Sequence, residues 1–249
     1  MEKGRKEAKI GLESEKELVN MINTNVQFRN IIRRCLSKLG FKMKGKLKAY
    51  KDCVKTDIII ETNGSKLGVS IKSSTATSFH QLDRRRLESW KTLLNMPDNV
   101  FEAIKEAILR IAYNKKAKFI LEKDRNMIAN FFRKNIRRMI NEIFVKAEQN
   151  LKLLVVNDKV KRRLYFFKMR EAIDFLCKNS SNVNFSRKGI VKLGDFISVQ
   201  RKSGDGKHIK IPKTNWRHPG NNLQFKFSPL RFAEYIENAK VIDCFEIDY

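Results

Sequence analysis

A chain of 249 residues with 42% hydrophobic content is long enough for one two-part domain or two small ones, and can build a core without disulfide staples. Lysine and arginine number 53 against 27 acidic residues, giving a net charge of +26, and the pI is near 10.1, so a polyanionic partner is the first expectation: nucleic acid, an anionic membrane surface or ribosomal RNA. The absence of any apolar run near the ~18 residues of a membrane span, the charged stretch from Met1 to Lys9, and the scattered Cys35, Cys53, Cys177, Cys244, His80, His208 and His218 argue against a membrane anchor, a disulfide framework and a zinc site, and lead us to expect a cytoplasmic protein with reduced thiols.

The chain opens on helical periodicity. Ile10, Leu18, Val19 and Ile22 share one face over residues 4–24, and a second helical stretch from Val26 to Leu39 stops at Gly40. Two β-branched runs follow, Val54 to Glu61 and Lys66 to Ser73. They are joined by Thr62-Asn63-Gly64-Ser65, in which Asn-Gly is a short-range hairpin signal. From His80 to Gln149 the pattern is helical, punctuated at Pro97 and at Asn114 to Ala117. Leu151 to Val156 reads as a strand and Arg170 to Lys178 as a helix. The region from Val183 to Phe227 turns strand-like, with 10 basic residues against 2 acidic ones between Ser186 and Lys226. Ser228-Pro229 reads as a helix start and Val241 to Ile247 as a closing strand. The expected architecture is mixed α/β: a catalytic core with its helical region over residues 1–150 and a DNA-facing, largely β subdomain over residues 151–249.

The hairpin carries the chemistry. A tight turn brings Asp57, at the start of the first strand, near Ser70 and Lys72 on the second, and residues 70 and 72 share a face because strand side chains alternate. Phosphodiester hydrolysis needs a carboxylate to hold Mg²⁺, which polarises the phosphoryl oxygen and acidifies a water, and a cation near that water; Asp57 and Lys72 suit those tasks. Glu15 precedes Leu18 and Val19 by one helical turn, so its carboxylate falls on the apolar face and can reach the same metal, whereas Glu13 and Glu17 read as surface charges. On spacing alone, an aspartate at a strand start also reads as a turn cap, and a lysine beside a buried strand as a snorkelling side chain.

Thr56-Asp57 followed by Ser70-Ile71-Lys72 resembles the PD-(D/E)xK nuclease motif. With Ser14-Glu15-Lys16, His80-Gln81-Leu82-Asp83, Val199-Gln200-Arg201-Lys202-Ser203-Gly204-Asp205 and Asn222-Leu223-Gln224-Phe225-Lys226, in that order and spacing, the chain is similar to the HinP family of small GCGC-cutting type II restriction endonucleases, and more distantly to MspI. The resemblance spans nearly the whole chain and is most specific at the two carboxy-terminal motifs. It implies a restriction-endonuclease-like core sheet flanked by helices and an enzyme that cuts double-stranded DNA with Mg²⁺ at a four-base palindrome. It further implies a monomer or weak dimer, with a cognate DNA methyltransferase in the same host. Asp57, Ile71 through its carbonyl, and Glu15 become metal ligands; Lys72 and position 70 complete the catalytic set. Gln81, Gln200, Arg201, Lys202, Gln224 and Lys226 fall in the motifs expected to meet DNA. Position 70 departs from the pattern, since it is serine where the superfamily usually has an acid and close relatives can have a neutral amide. Arg or Lys pairs well with guanine O6 and N7, so Gln200-Arg201-Lys202 can read G·C pairs or merely grip phosphates. Two other functions stay open: a structure-directed nuclease of repair or mobile DNA, and a basic, non-catalytic nucleic-acid-binding protein.

Overall fold

The computed structural model describes residues 2–52, 56–146, 148–204 and 209–249, with side chains from residue 11 onward. Cys53, the Val54 strand start, and Asp205 and His208 lie outside the described residues, as does the side chain of Ile10. In chain order the elements are α1 (Glu2–Thr24), α2 (Val26–Lys38), β1 (Lys48–Lys51), β2 (Ile58–Thr62), β3 (Ser65–Ser74), β4 (His80–Arg85), α3 (Leu87–Leu94), α4 (Asp98–Tyr113), α5 (Arg125–Phe144), β5 (Leu151–Asp158), β6 (Arg163–Lys168), α6 (Met169–Ser180), β7 (Val183–Phe185), β8 (Val191–Leu193), β9 (Ile197–Arg201), β10 (Leu223–Phe227), α7 (Pro229–Ala239) and β11 (Phe245–Asp248).

Two compact units emerge, one made of Met1–Ser78, Val145–Phe175 and Pro229–Tyr249, the other of Phe79–Phe144 and Leu176–Ser228. The first is built on a six-stranded sheet in the order β1-β2-β3-β5-β6-β11. Its one parallel pairing is β3 with β5; the other neighbours are antiparallel. A parallel pair needs a crossover, and here residues 79–144, the first half of the second unit, fill it. The units therefore interleave along the chain, whereas the division expected at residue 150 is linear. β5, β6, α7 and β11 belong to the first unit, because their apolar residues complete the sheet begun by β1, β2 and β3.

The hairpin forms as expected, with Thr62 opposite Ser65 and Gly64 supplying the positive φ of the turn at +108°. α2 ends at Gly40, φ +82°, where the Phe41 N–H bonds to the Leu36 carbonyl and the Gly40 N–H to the Ser37 carbonyl, a left-handed cap that satisfies two orphan acceptors. Leu18, Ile22, Ile32, Leu36, Ile58, Ile60, Val69, Val155 and Phe166 close one core between these helices and the sheet. At ~1.5–3 kcal/mol per fully buried apolar side chain, this cluster is the main source of the first unit's stability. Gly68 is required where β3 meets the segment leading into β5: an added Cβ would sit 2.8 Å from the Asn150 carbonyl oxygen.

The second unit carries an antiparallel sheet in the order β4-β10-β9-β8-β7, with Trp90, Phe132, Phe144, Phe225 and Phe227 buried within it. Trp90 packs against Phe225 with the rings tilted by 47° and 4.7 Å between centroids, and Phe144 meets Phe227 edge-on at 5.3 Å. The helical reading from His80 onward is corrected at its start, since His80–Arg85 is a strand paired to β10. The six residues carry only Leu82 as a strong apolar signal, so pairing, not local pattern, makes the strand. β1 and β6 were not read from the sequence either. The mixed α/β architecture itself is as expected.

Candidate functional site

In the first unit, the antiparallel pairing of β2 with β3 sets Asp57 beside Ser70; its backbone N–H reaches the Val69 carbonyl at 3.0 Å. One carboxylate oxygen, Oδ2, then gathers three donors: the Ile71 N–H at 2.5 Å, the Ser70 hydroxyl at 3.1 Å and the Lys72 ammonium at 3.4 Å. Lys72 Nζ also donates to Ser70 Oγ at 2.7 Å and to the Ile71 carbonyl at 3.2 Å. The four expected residues thus form one cluster. Asp57 and Lys72 keep 24% and 28% of their side-chain surface, enough to meet a substrate, while Ser70 is 4% exposed. β-strand alternation explains the cluster, since 57, 70 and 72 lie on one face and Ile71 offers only its backbone to it.

Glu15 projects from α1, which packs on β1 and β3, and its carboxylate is held by Lys51 at 2.7 Å. No group of three His, Cys, Asp or Glu that could hold a metal occurs among the described residues. Asp57 and the Ile71 carbonyl nevertheless suit Mg²⁺, which keeps several waters and takes one or two carboxylates with substrate oxygens. Glu17 is ion-paired to Lys159 at 2.5 Å, in keeping with a surface role.

The sequence did not reveal Glu148, whose Oε2 accepts a 2.6 Å hydrogen bond from Thr56, the residue before Asp57, while its Oε1 is buried without a hydrogen-bond partner. A cleft lined by Asp52, Thr56, Ile59, Lys66, Gly68 and Glu148 lies here. Glu148 stands in a turn, where no periodicity marks it.

In the second unit, β9 pairs with β10 so that Gln200 faces Gln224 and Ser198 faces Lys226. On the other side of β10, Gln224 faces Arg84 and Lys226 faces Gln81. An irregularity in the β4 pairing between Phe225 and Lys226 leaves Leu82 unmatched, so Gln81 and Arg84, three residues apart, come to one face. Gln224 Nε2 donates to Gln81 Oε1 at 2.8 Å. Gln81, Gln200, Gln224 and Lys226, which the sequence placed in separate DNA-facing motifs, are brought to one face of this sheet. Arg84 joins them without having been foreseen, because a register irregularity cannot be read from a single strand.

Arg201 departs from its expected place. Successive strand residues alternate, so Arg201 lies on the opposite face from Gln200, opposite Leu223, and is 4% exposed. Its Nε donates to Asn221 Oδ1 at 2.8 Å and NH1 to Ser203 Oγ at 3.3 Å, while NH2 is buried without a partner. Burial holds its pKa below the usual guanidinium range. The Gln200-Arg201-Lys202 run therefore does not present three side chains together. Burial, and then Arg84, lower the Lys202 pKa. His218, 3% exposed, is pulled below 6.5 by burial and by Arg201, Lys213 and Lys202; its Nδ1 accepts the Gly220 N–H at 2.9 Å.

No protein-family model and no curated protein matches this chain. Among solved structures, the chain is similar to restriction endonuclease MspI in complex with its cognate DNA, with a TM-score of 0.60 and 16% identity over 90% of this chain and 91% of that one. At that identity the likeness concerns the fold alone: the mixed α/β architecture is similar to that of MspI.

Proposed function

We propose that this protein is a Mg²⁺-dependent type II restriction endonuclease that hydrolyses double-stranded DNA at a short, G/C-rich four-base palindrome such as GCGC. The observation that carries the reading is the convergence of Ser70, the Ile71 backbone and Lys72 on Asp57 Oδ2, within a fold similar to that of MspI bound to its cognate DNA. The net charge of +26 supports a polyanionic substrate. A monomer or weak dimer paired with a cognate methyltransferase completes the proposal.

Asp57 and the Ile71 carbonyl would hold Mg²⁺, with Glu15 able to approach only on release from Lys51. Bound there, the ion supplies Lewis-acid polarisation of the phosphoryl oxygen and a more acidic water. Lys72, steered by Ser70, places a positive charge beside Asp57 where charge develops on the attacked phosphate. In the second unit, Gln81, Gln200, Gln224 and Lys226, with Arg84 and Lys202, offer amide and cationic groups suited to base edges and phosphates. Arg201 acts from behind as a positioning residue, since its bonds to Asn221 and Ser203 tie down the loops that flank β9 and β10.

Incubation of plasmid DNA with the protein and Mg²⁺, followed by sequencing of fragment ends, tests the proposal. Discrete bands with one shared end sequence are expected. A smear or junction-specific cutting indicates a structure-directed nuclease, and failure to nick supercoiled plasmid in any divalent metal indicates a binding protein, the reading that serine at position 70 favours.

A further inference from the structure

We propose that the corner of the second unit between the end of β9 and the turn at residues 218–221 binds a tetrahedral oxyanion of the phosphate type, held by the buried guanidinium of Arg201 beside His218. The inference stands apart from the nuclease reading, since it concerns neither the Asp57 cluster nor the face of the sheet that carries Gln200. Arg201 commits two of its three nitrogens to the fold, Nε to Asn221 Oδ1 at 2.8 Å and Nη1 to Ser203 Oγ at 3.3 Å. The third, Nη2, is buried without a hydrogen-bond partner in a residue that is 4% exposed. Asn221 and Ser203 are neutral, so these bonds leave the positive charge uncompensated, and no carboxylate among the described residues pairs with it. A guanidinium cannot shed its proton as a buried lysine can, and an ion taken out of water without a counter-ion is among the costliest states in a folded protein.

The surroundings add donors and positive charge. His218 is 3% exposed, and its Nδ1 accepts the Gly220 N–H at 2.9 Å, which fixes the proton of the neutral ring on Nε2 and makes that nitrogen a donor. Burial, then the charges of Arg201, Lys213 and Lys202, bear on the same ring. Gly220 keeps the corner open: a Cβ there would sit 2.8 Å from His218 Nδ1 and 3.5 Å from Arg201 Nη2, so glycine leaves clear a point that both side chains reach. An oxyanion supplies what is missing, a counter-charge for the guanidinium and acceptors for Nη2 and Nε2. With two lysines acting on the same imidazole, an ion of more than one charge and more than two oxygens suits the corner better than chloride or a carboxylate. That chemistry has two sources, free inorganic phosphate and a phosphodiester of bound DNA, and the near-complete burial of Arg201 and His218 favours the free ion.

The test titrates inorganic phosphate into the intact protein at constant ionic strength in chloride, following binding by calorimetry and the His218 ring by NMR, with His218→Gln assigning the signal. The wild type should bind a single phosphate saturably, and the His218 pKa should rise as it does. Arg201→Gln should weaken that binding by about tenfold or more, the loss of one charged hydrogen bond. Gly220→Ala keeps both side chains and fills the point between them, so it should weaken binding too; it serves if the Arg201 variant fails to fold, and the wild-type titration decides if both do. A short duplex separates the sources. Phosphate that stays bound in its presence identifies the free ion, whereas phosphate displaced by duplex, or a His218 shift produced by duplex and not by inorganic phosphate, identifies the DNA backbone. If neither phosphate nor duplex moves the His218 pKa, or if phosphate binds wild type and a folded Arg201→Gln alike, water alone solvates the guanidinium and the proposal is overturned.

Discussion

Two regions of the protein treat their positive charges in opposite ways. Along β6, β11 and α7 of the first unit, cations are neutralised. Arg163 meets Glu237 at 3.1 Å, Glu246 at 2.9 Å and Asp248 at 2.6 Å, and Lys161 meets Glu234 at 3.1 Å. Their acidic partners hold the pKa values of Arg163 and Lys161 above the usual range. Around β9 and β10 of the second unit the shifts run the other way: Arg201 is lowered by burial, Lys202 by burial and Arg84, and His218 by burial and the charges of Arg201, Lys213 and Lys202. The first pattern is a structural lattice of ion pairs. In the second, Arg201 and Lys202 have no acidic partner among the described residues, at a cost to the folded protein, in keeping with the polyanionic partner proposed above.

The sharpest break between hydrolysis and binding comes from Asp57→Ala. Loss of the carboxylate that gathers Ser70, Ile71 and Lys72 should lower the cleavage rate by about a thousandfold, the equivalent of several kcal/mol, and leave DNA binding intact. Plasmid nicking set beside a mobility shift in Ca²⁺ reads both, and cleavage within about tenfold of wild type defeats the active-site assignment.

Next in size is Arg201. If it positions the loops, Arg201→Ala should weaken cognate and random duplex alike and lower the melting temperature, because Asn221 and Ser203 lose their donor. If instead Arg201 leaves its buried site to read a guanine, the variant should lose ~1–3 kcal/mol against the cognate site only. Competition binding at several salt concentrations separates the two, and the same measurement on Lys226→Ala should flatten the log–log salt slope by about 0.9 if that lysine grips a phosphate.

A smaller effect concerns pH. His218 has a folded pKa below 6.5, so the folded protein binds fewer protons there than the unfolded chain. Its contribution to stability is whole above pH 6.5 and is lost as pH falls through 6.5 toward the folded value. Thermal melts between pH 8 and pH 5 should therefore fall off more steeply in wild type than in His218→Gln. Bound DNA should blunt the difference, since a polyanion compensates the charge that Arg201, Lys202 and Lys213 impose. Equal slopes in the two proteins would show that the second unit's charges are already neutralised.

The smallest expected change tests the hairpin. Gly64→Ala places a side chain at φ +108° and should cost about 1 kcal/mol in unfolding free energy without altering the Asp57 cluster. A loss of cleavage larger than the loss of stability would mean that the turn sets the register of Asp57 against Ser70.

Local sequence determined what depends on neighbours in the chain. Asn63-Gly64 between β-branched runs fixed the hairpin, and period-two alternation put Ser70 and Lys72 on one face with Asp57 within reach. Gly40 fixed the end of α2, and the excess of lysine and arginine pointed to a polyanionic partner without separating nucleic acid from an anionic membrane surface. Tertiary structure decided what depends on pairing between distant segments. β4 is a strand because β10 lies beside it, and Arg84 shares a face with Gln81 because that pairing slips by one residue at Leu82. Arg201 is buried because strand alternation turns it away from Gln200, and Lys51, 36 residues from Glu15 in the chain, is what occupies that carboxylate. Periodicity reports which residues share a face of one element; which face is buried, and which charge finds a partner, is set by contacts that no local pattern encodes.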